Sequence, residues 1–512
     1  MSRRLVLSPW LVAALGAGAY LVLAPASADL AAQEYRAGLV RSAGLGIWDN
    51  GWYAGHHTPA YSLLFPPLGA VLGVRLAGSL AAVAAAALFG RLARRHWAQA
   101  PATAAALWFA LATVATLLTG RLTFMLGVAI GVGALLALSA GRPLLAAAIA
   151  VLTTLASPVA GLFLALAAVA AGLAVPARRA AAALVAGGAL VTAVGLVALF
   201  PEGGTEPFAA SSFWPALAAT ALVAALLPAR ERALRIGAGL YALACAAAYL
   251  VSSPLGGNVT RLGALVAGPI AVGALAGHRR PALVAAIALP LAYWQAYPAA
   301  RDVARAAGDP SVAAAYHAPL VRFLEGRPGT FRIEIPFTEN HWEAARVAPA
   351  IPLARGWERQ LDRRYGALFY DGTLTAATYR AWLDQHAVAY VALPDVALDA
   401  AARDEARLIE RGLPYLRPLW HDEHWRVFAV RDPAPLVQGP ARGPITLTPD
   451  GFELRARRAG AALVRVHHSR WWRVTAGRAC VRRGPGGMTA LRVLAAGTVR
   501  VQAQLEGASC RR

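Results

Sequence analysis

The stretch that decides the fold is residues 101–140, PATAAALWFALATVATLLTGRLTFMLGVAIGVGALLALSA. It contains two apolar runs, 101–119 and 122–140, and its one charged residue, Arg121, stands between them. Each run is close to the roughly 20 residues with which a helix crosses a lipid bilayer. The stretch therefore predicts two neighbouring transmembrane helices with a very tight connection at 119–124.

Apolar runs of the same kind continue on both sides of this pair. Eleven are present, at 5–24, 75–93, 101–119, 122–140, 143–157, 159–175, 180–200, 213–228, 233–251, 262–277 and 281–298. Across all 512 residues, 58% are hydrophobic, 15% are charged, and the mean hydropathy is +0.50. Soluble domains average about 45–50% apolar and about 25% charged residues, so these values exclude an ordinary soluble enzyme and a disordered chain. The hydrophobic fraction and the mean hydropathy are too low for a chain that is embedded in the membrane throughout. The composition therefore predicts a membrane part plus a soluble part.

The basic residues indicate an orientation in the membrane. All 49 are arginine and the net charge is +22. Such lysine-free usage is typical of genome composition bias. The high positive charge therefore does not indicate a nucleic-acid partner, and we expect none. Because positive charge gathers on the cytoplasmic side, a cytoplasmic N-terminus is favoured. Every inner loop is then basic: Arg3/Arg4, Arg91/Arg94/Arg95, Arg142, Arg178/Arg179, Arg230/Arg232/Arg235 and Arg279/Arg280. The outer loops hold few arginines: Arg36, Arg41, Arg121 and Arg261. We predict a multi-pass protein of the plasma (inner) membrane whose chain after residue 299 is extracytoplasmic.

The composition changes near residue 299. Residues 1–299 carry 18 arginines and 6 acids, whereas residues 300–512 carry 31 arginines and 21 acids. We predict a transmembrane domain over 1–299, an external α/β domain over 300–435 and an external β-rich, sandwich-like domain over 436–512. The α/β prediction rests on strands at Phe331–Phe337, Val388–Leu393 and Trp425–Val430 and on helices at Thr375–His386 and Ala397–Arg411. The β-rich prediction rests on the segments ITLT, FELRAR, ALVRVHH, WWRVTA, TALRVL and TVRVQAQ.

The chain has three cysteines, Cys245, Cys480 and Cys510, and no CxxC pair. This argues against a structural zinc site. Cys480 and Cys510 both lie in the predicted β-rich domain and could form a disulfide. The sequence alone leaves that pairing open, because it does not place the two residues in contact.

The first external loop, residues 25–74, holds the polar residues of the membrane half. Three of the six acids before residue 299 are here, and Phe65-Pro-Pro-Leu-Gly69 closes the loop. Stretch 60–73 is apolar but short and is interrupted by Pro66-Pro67, so we expect it to lie at the membrane interface. The candidate site residues of this loop are Asp29, Glu34, Arg36, Asp49, Trp52, Tyr53, His56 and His57.

This arrangement resembles the GT-C superfamily of membrane glycosyltransferases. Members have a first transmembrane helix, a long external loop that opens with an acid, juxtamembrane helices, many further spans and an external C-terminal domain. Here the acid is Asp29 in Ala28-Asp29-Leu30, and Phe65-Pro-Pro-Leu-Gly69 matches the juxtamembrane element. With Trp48-Asp-Asn-Gly-Trp-Tyr-Ala-Gly55 between them, the pattern looks closest to the bacterial membrane domain named as related to 6-pyruvoyl-tetrahydropterin synthase, a name that implies no activity here.

The resemblance implies transfer of a sugar from a polyprenyl-phosphate donor to a glycan, lipid or protein acceptor of the cell envelope. The attacking hydroxyl must lose a proton, which a carboxylate within hydrogen-bond reach can accept. Asp29, at the outer end of the first helix, is the candidate base. Arginine binds phosphate oxygens in a fork, so Arg36, Arg121 and Arg261 are the candidates for the lipid phosphate.

One departure from the family pattern concerns the second acid. Many GT-C enzymes carry paired acids at this point, whereas Leu30 follows Asp29 here. Glu34 and Asp49 are the remaining candidates, and a divalent metal is left open. His56/His57 could form a metal or phosphate site or could be interfacial loop residues.

The same residues have structural alternatives. Asp29 could cap a helix after a span, and Arg121 and Arg261 could be snorkelling anchors. Trp52 and Tyr53 could stack on a sugar, or they could anchor the loop at the membrane interface.

Two other functions compete with glycosyl transfer. A transporter or flippase of lipid-linked saccharides would need polar groups near the bilayer midplane, and these spans have almost none. A non-catalytic scaffold that binds envelope polymer would not need Asp29. No nucleotide-binding glycine motif and no serine nucleophile elbow is present. Segments 339–343 and 354–362 gather polar and aromatic residues that could touch an acceptor, cover the membrane cavity or form a contact surface with the membrane.

Overall fold

The computed structural model describes residues 8–275 and 281–511. The chain forms two compact units, of which the first contains Met1–Gln33 and Ala60–Ala307 and the second contains Glu34–Pro59 and Gly308–Arg512. The middle of the first external loop, residues 34–59, therefore groups with the C-terminal part of the chain. The predicted inner-loop arginines Arg3, Arg4, Arg279 and Arg280 lie outside the described residues.

The first unit is built from α-helices. In chain order they are α1 Pro9–Leu23, α2 Ala28–Ala43, α3 Phe65–Leu72, α4 Val74–His96, α5 Gln99–Leu118, α6 Leu122–Ser139, α7 Pro143–Ala156, α8 Pro158–Ala174, α9 Arg179–Leu199, α10 Ala210–Leu226, α11 Arg232–Leu250, α12 Thr260–Leu275 and α13 Pro281–Ala306. Helix α2 begins in the first unit and ends in the second. Within the described residues, each of the eleven apolar runs falls on one of these helices. Helix α3 is too short to cross a bilayer at about 1.5 Å per residue.

The helical unit has several helices suited to a membrane. Within the described ranges, six are long and apolar enough to cross a bilayer, and α1 with α2 would make a seventh if this pair, bent by 80°, formed one span. Three further apolar helices, α7, α8 and α10, are shorter. The described part of the structure thus has a helical core with at least six long apolar helices, whereas the embedding of this core in a membrane and the count of eleven spans stay predictions.

Small residues set the spacing between these helices. A Cβ added to Gly127 of α6 would lie 2.6 Å from the Cβ of Ala160 in α8. One added to Gly268 of α12 would lie 2.3 Å from the ring of Trp108 in α5. In lipid, such small-residue contacts allow the close packing that holds helices together. The alanine and glycine residues of the predicted spans therefore also form the surfaces through which these helices pack.

The second unit begins with residues 34–59, whose strands β1 Trp48–Asp49 and β2 His56–His57 pair in antiparallel fashion. Trp48 is buried in the core of the C-terminal β domain. The side-chain amide of Asn50 donates to the carbonyls of Thr448, at 2.8 Å, and Gly451, at 2.6 Å. This segment is thus an integral part of the second unit.

An α/β sheet follows. Its strands are β3 Arg332–Glu334, β4 Val388–Pro394, β5 Leu416–His421 and β6 Trp425–Val430, in the order β3-β4-β6-β5. Strand β3 is parallel to β4, and the other pairs are antiparallel. The helices of this domain are α14 Ala314–Glu325, α15 Glu343–Arg346, α16 Arg359–Tyr365, α17 Ala376–Gln385 and α18 Arg403–Glu410.

The remaining strands form two facing layers. They are β7 Val437–Gln438, β8 Ile445–Thr448, β9 Gly451–Ala456, β10 Gly460–His467, β11 Trp472–Ala476, β12 Ala479–Arg483, β13 Met488–Val493, β14 Gly497–Ala503 and β15 Cys510–Arg511. One sheet has the order β15-β12-β13-β10-β7 and the other β11-β14-β9-β8. A shared apolar core between them includes Phe452, Val464 and Val501. Cys480 and Cys510 form a disulfide between β12 and the edge strand β15.

Candidate functional site

Asp29 and Arg121 meet in the helical unit, although 92 residues separate them in sequence. Asp29 lies in the first turn of α2, where the partial positive charge of a helix N-terminus favours a carboxylate. The Nε of Arg121 donates to Oδ2 of Asp29 at 3.2 Å, and about a third of each side chain is exposed to solvent. The pair is thus both fixed and accessible.

Gly120 explains why these two residues meet. It has a φ of +73°, and a Cβ at this position would lie 2.4 Å from Oγ of Ser27 and 2.5 Å from the backbone nitrogen of Leu30. Only glycine fits such a close approach with a positive φ. The tight connection predicted at 119–124 therefore brings Arg121 directly against the start of α2.

Arg261 completes a group that we call the Asp29 site, which consists of Asp29, Arg121 and Arg261. Arg261 lies in the first turn of α12, and its guanidinium stands 5.8 Å from the ring centroid of Phe124. It is close enough to Asp29 and Arg121 to interact with both electrostatically. Arg121 and Arg261 also line one small cavity of about 30 Å³ with Gln295. Two guanidinium groups and one carboxylate make this corner suitable for an anion.

A second carboxylate near the site, Asp302, is absent from the residues that the sequence singles out. It lies near the end of α13 and interacts electrostatically with Asp29 and Arg121, and Arg301 donates to it at 2.9 and 3.1 Å. The signal that could have found it is its position, a charged pair directly after the last apolar run, which is a predicted outer end. Glu34, the predicted alternative, is half-buried in the second unit, and the described chain gives its carboxylate no hydrogen bond or ion pair.

Arg36 belongs to the second unit, whereas the other predicted phosphate ligands, Arg121 and Arg261, belong to the first. Its guanidinium donates to Glu358 at 2.5 Å and stands 5.3 Å from the ring centroid of Trp52. Trp52 is fully buried, and its Nε1 donates to the carbonyl of Ala344 at 3.2 Å. Tyr53 is also fully buried and donates to the carbonyl of Gly356. The contacts of Arg36, Trp52 and Tyr53 are those of a packed interior.

The remaining predicted residues of the loop are buried as well. Oδ1 of Asp49 accepts from the hydroxyl of Tyr35 at 2.9 Å, and burial raises the pKa of Asp49 although His56 opposes the shift. Nδ1 of His56 is 3.8 Å from Asp49, whereas Nε2 of His57 is 2.8 Å from the hydroxyl of Ser469. The two histidines therefore face different partners. Across the described ranges, the search for three or more His, Cys, Asp or Glu side chains arranged to hold a metal ion finds none.

Segments 339–343 and 354–362 come together inside the α/β domain. The ring of His341 stacks on that of Trp357 with 3.3 Å between centroids, and Nε2 of His341 is 3.4 Å from Asp399. Glu343 accepts from the hydroxyl of Thr338 at 2.5 Å. Burial lowers the pKa of His341 to about 4 and raises the pKa of Glu343 to about 8. Both groups are therefore mainly uncharged at neutral pH.

The raised pKa of Glu343 predicts that this carboxyl group lowers the stability of the second unit as the pH rises from 7.5 to 8. In this range most of the folded chain keeps the proton of Glu343, whereas the unfolded chain has lost it near 4.5. Buried histidines add almost no slope here, because above about pH 7.5 they are neutral in both states, but the buried Glu334, whose pKa is also raised, adds to the loss. We expect urea unfolding of the full-length protein in detergent to show a loss of stability to which Glu343 contributes up to about 1.4 kcal/mol per pH unit. Glu343→Gln should flatten this slope, whereas Glu410→Gln, at an exposed position, should not. An unchanged slope in Glu343→Gln would contradict the assignment.

At the level of sequence, no protein-family model and no curated protein matches the chain.

Solved structures give the fold. The Archaeoglobus fulgidus oligosaccharyltransferase in its apo form matches with a TM-score of 0.50 and 13% identity, covering 77% of this chain and 70% of that one. The arabinofuranosyltransferase AftD from Mycobacteria matches with a TM-score of 0.47 and 19% identity over 84% of this chain, which spans 40% of the length of AftD. ArnT from Cupriavidus metallidurans matches with a TM-score of 0.37 and 13% identity, over 79% of this chain and 93% of that one. The likeness to the oligosaccharyltransferase shows that this chain shares the fold of that protein.

Proposed function

We propose that this protein is a membrane glycosyltransferase that moves a sugar from a polyprenyl-phosphate-linked donor to an acceptor of the cell envelope. The observation that carries the proposal is the Asp29 site. It combines a partly exposed carboxylate with two arginines, and the three residues come from three different helix starts in the helical unit. One base and two phosphate-binding groups are what this reaction needs.

In the proposed reaction, Asp29 is the general base. The hydroxyl oxygen of the acceptor attacks the anomeric carbon of the sugar, its proton passes to the carboxylate of Asp29, and the bond between the anomeric carbon and the phosphate oxygen breaks. The leaving lipid phosphate gains negative charge, which Arg121 and Arg261 compensate through charge-assisted hydrogen bonds. As Asp29 takes the proton, its hold on Arg121 weakens, so that Arg121 becomes available to the phosphate.

The finer assignments are also part of the proposal. The loop motifs support membership of the bacterial branch named as related to 6-pyruvoyl-tetrahydropterin synthase. The rarity of arginine in the predicted outer loops supports an extracytoplasmic position for Arg121 and Arg261. Reaction at the outer face of the plasma membrane would give the site access to a glycan, lipid or protein acceptor of the envelope.

The proposal is tested by a transfer assay with the full-length protein in nanodiscs. A panel of polyprenyl-phosphate sugars is supplied with envelope extract as the acceptor, with and without divalent metal and chelator. Transfer of sugar from one of these donors is the expected result. If no donor in a panel that covers the common hexoses and pentoses reacts, the proposal is contradicted in favour of transport or a scaffold.

Arg261→Gln is expected to lower kcat/KM by about 100-fold, because a phosphate-binding donor that acts on developing charge is lost. Arg261→Lys should keep part of the activity, since the charge remains but the fork does not. Arg142→Gln, in a predicted inner loop, is the matched control and should react like wild type. Equal activity of Arg261→Gln and wild type on the reacting donor would remove Arg261 from the site.

A transporter of lipid-linked saccharides is the second candidate, because the helical unit contains a cavity of about 670 Å³. The apolar part of this cavity is lined by Phe89, Phe109, Phe124 and Phe163 together with small residues. A saccharide on its way through would find few hydrogen-bond partners there. This lining favours a lipid chain as the occupant and interfacial chemistry as the function.

A further inference from the structure

The apolar cavity of the helical unit has one charged end. Helix α6 lines it from Phe124 to Ser139, a length of about 22 Å at 1.5 Å per residue. Phe124 is the end near the Asp29 site, since Arg261 lies over its ring. At the opposite end the lining residues include Arg178, Arg230 and Arg232. The cavity is thus a narrow apolar space with a basic mouth far from the candidate site.

Four helices bring this mouth together. His96 ends α4, Ser139 ends α6, Arg178 follows α8, and α11 begins at Arg232. These residues belong to the loops that the arginine distribution predicts to be cytoplasmic, where anionic lipids of the bilayer attract basic groups.

The carboxylate at the mouth already has partners within the protein. Glu231 is buried, lies 2.8 Å from Nε2 of His96, and accepts from Nε1 of Trp97 at 3.2 Å. In the described part of the chain, no ion pair joins the exposed guanidinium groups of Arg178, Arg230 or Arg232 to a carboxylate. Three positive charges are therefore left at the opening of an apolar cavity.

We propose that this cavity holds one anionic glycerophospholipid of the bilayer, which the protein keeps as a bound, non-reacting lipid. The three arginines bind its phosphate, and one acyl chain enters between the phenylalanine rings. The site rests on the proposed membrane location of the helical unit. A sugar donor whose phosphate lay at this mouth would be about 22 Å from the Phe124 end of the cavity. It could not present its anomeric carbon to Asp29, so the occupant is a membrane phospholipid.

The test is native mass spectrometry of the full-length protein purified in mild detergent and washed extensively. Wild type is expected to retain one phospholipid. The triple variant Arg178→Gln, Arg230→Gln, Arg232→Gln should bind added phosphatidylglycerol about a hundredfold more weakly, since each basic residue near a lipid surface contributes about a fivefold effect. The control triple variant has Arg91, Arg142 and Arg179 changed to glutamine. These three arginines also belong to predicted inner loops, but they do not line the cavity. The control should therefore bind phosphatidylglycerol like wild type.

A second variant separates the cavity from the charges. Ala167→Phe fills the apolar part and should expel the lipid while leaving the three arginines in place. Loss of lipid in both the Ala167→Phe and the arginine variants supports the site. Equal loss in the control, retention in all variants, or a bound polyprenyl phosphate in place of the phospholipid would overturn it. None of these readouts uses sugar transfer, so failure of the glycosyltransferase proposal and failure of the lipid site are distinguishable.

Discussion

Replacing Asp29 by asparagine is expected to lower kcat/KM for sugar transfer by about 10² to 10⁴, the range that general base catalysis supplies. Asparagine has nearly the same shape and can still accept a hydrogen bond from Nε of Arg121, so the helix start and its neighbour should stay in place. What asparagine lacks is the ability to take the proton of the acceptor hydroxyl. The measurement is steady-state transfer with the reacting donor, together with the thermal unfolding midpoint as a check on folding.

Two matched variants make this result specific. Glu34→Gln changes the other predicted acid of the loop, and Asp302→Asn changes the carboxylate that the structure places near Asp29. The base should be the residue whose replacement also removes the fall of activity at acidic pH. If Asp29→Asn keeps wild-type activity and Asp302→Asn or Glu34→Gln does not, then the glycosyltransferase remains but the base is reassigned.

One physical rule narrows the choice of arginines for the Asp29 site from the sequence. Because arginine is disfavoured on the outer side of a membrane, the predicted topology selects four outer arginines, Arg36, Arg41, Arg121 and Arg261. The structure brings two of them, Arg121 and Arg261, to Asp29. This rule does not select Asp302. The residue follows the last apolar run, where a charged pair is expected simply because the helix ends there. Its relation to Asp29 depends on the packing of α13, which no local pattern contains.

The placement of residues 34–59 also depends on packing and not on a local pattern. Their position between two apolar runs predicts that they belong to the membrane half. In the structure Asn50 bonds to residues about 400 positions later, and Trp48 is in the core of the β domain. A strand pattern gives the period of a segment, but the partner of a two-residue strand such as β1 is set by tertiary packing.

In the α/β domain, the sequence pattern predicts the presence of a strand or helix better than it predicts where that element begins or ends. The strand expected at Phe331–Phe337 is confined to β3, because Pro336 has no N–H for a ladder hydrogen bond. The helix expected at Ala397–Arg411 begins only at Arg403, since the side chain of Asp399 accepts from the backbone of Ala401 in a preceding turn. Strand β5 is not among the predicted strands, and it contains Pro418.

The second large effect is expected at Arg355 in the α/β domain. Its guanidinium is buried, donates to Asp362 at 2.9 and 2.7 Å and to Glu405 at 3.1 Å, and lies between the rings of Phe337 and Phe369. Burial acts to lower the pKa of Arg355, but the surrounding carboxylates hold it well above its ordinary value. The arginine is thus the central cation of a buried group of acids.

Arg355→Met is expected to destabilise the second unit by about 3–5 kcal/mol, the effect of removing one partner from a buried ion pair. Methionine fills much of the space between the two rings but leaves Asp362 and Glu405 buried without a cation. The measurement is urea unfolding of the full-length protein in detergent, followed by tryptophan fluorescence. Arg407→Met is the control, because this arginine pairs with Asp404 at an exposed position, where an ion pair contributes little. Equal midpoints for Arg355→Met and Arg407→Met would contradict the prediction.

The pH dependence of the Arg355→Met defect separates lost charge from lost packing. Burial raises the pKa of Glu405 and of its neighbour Glu334, so these groups take up protons more readily than ordinary carboxyls. Without Arg355 their protonated forms are favoured further, and lowering the pH should neutralise the uncompensated charge. The difference in unfolding free energy between wild type and variant should therefore shrink from pH 8 to pH 5. The triple variant Arg355→Met, Asp362→Asn, Glu405→Gln should recover part of the stability at pH 8, because the two carboxylates that accept hydrogen bonds from Arg355 are then replaced by neutral amides. A defect of the same size at both pH values and in the triple variant would instead assign the loss to the packing between Phe337 and Phe369.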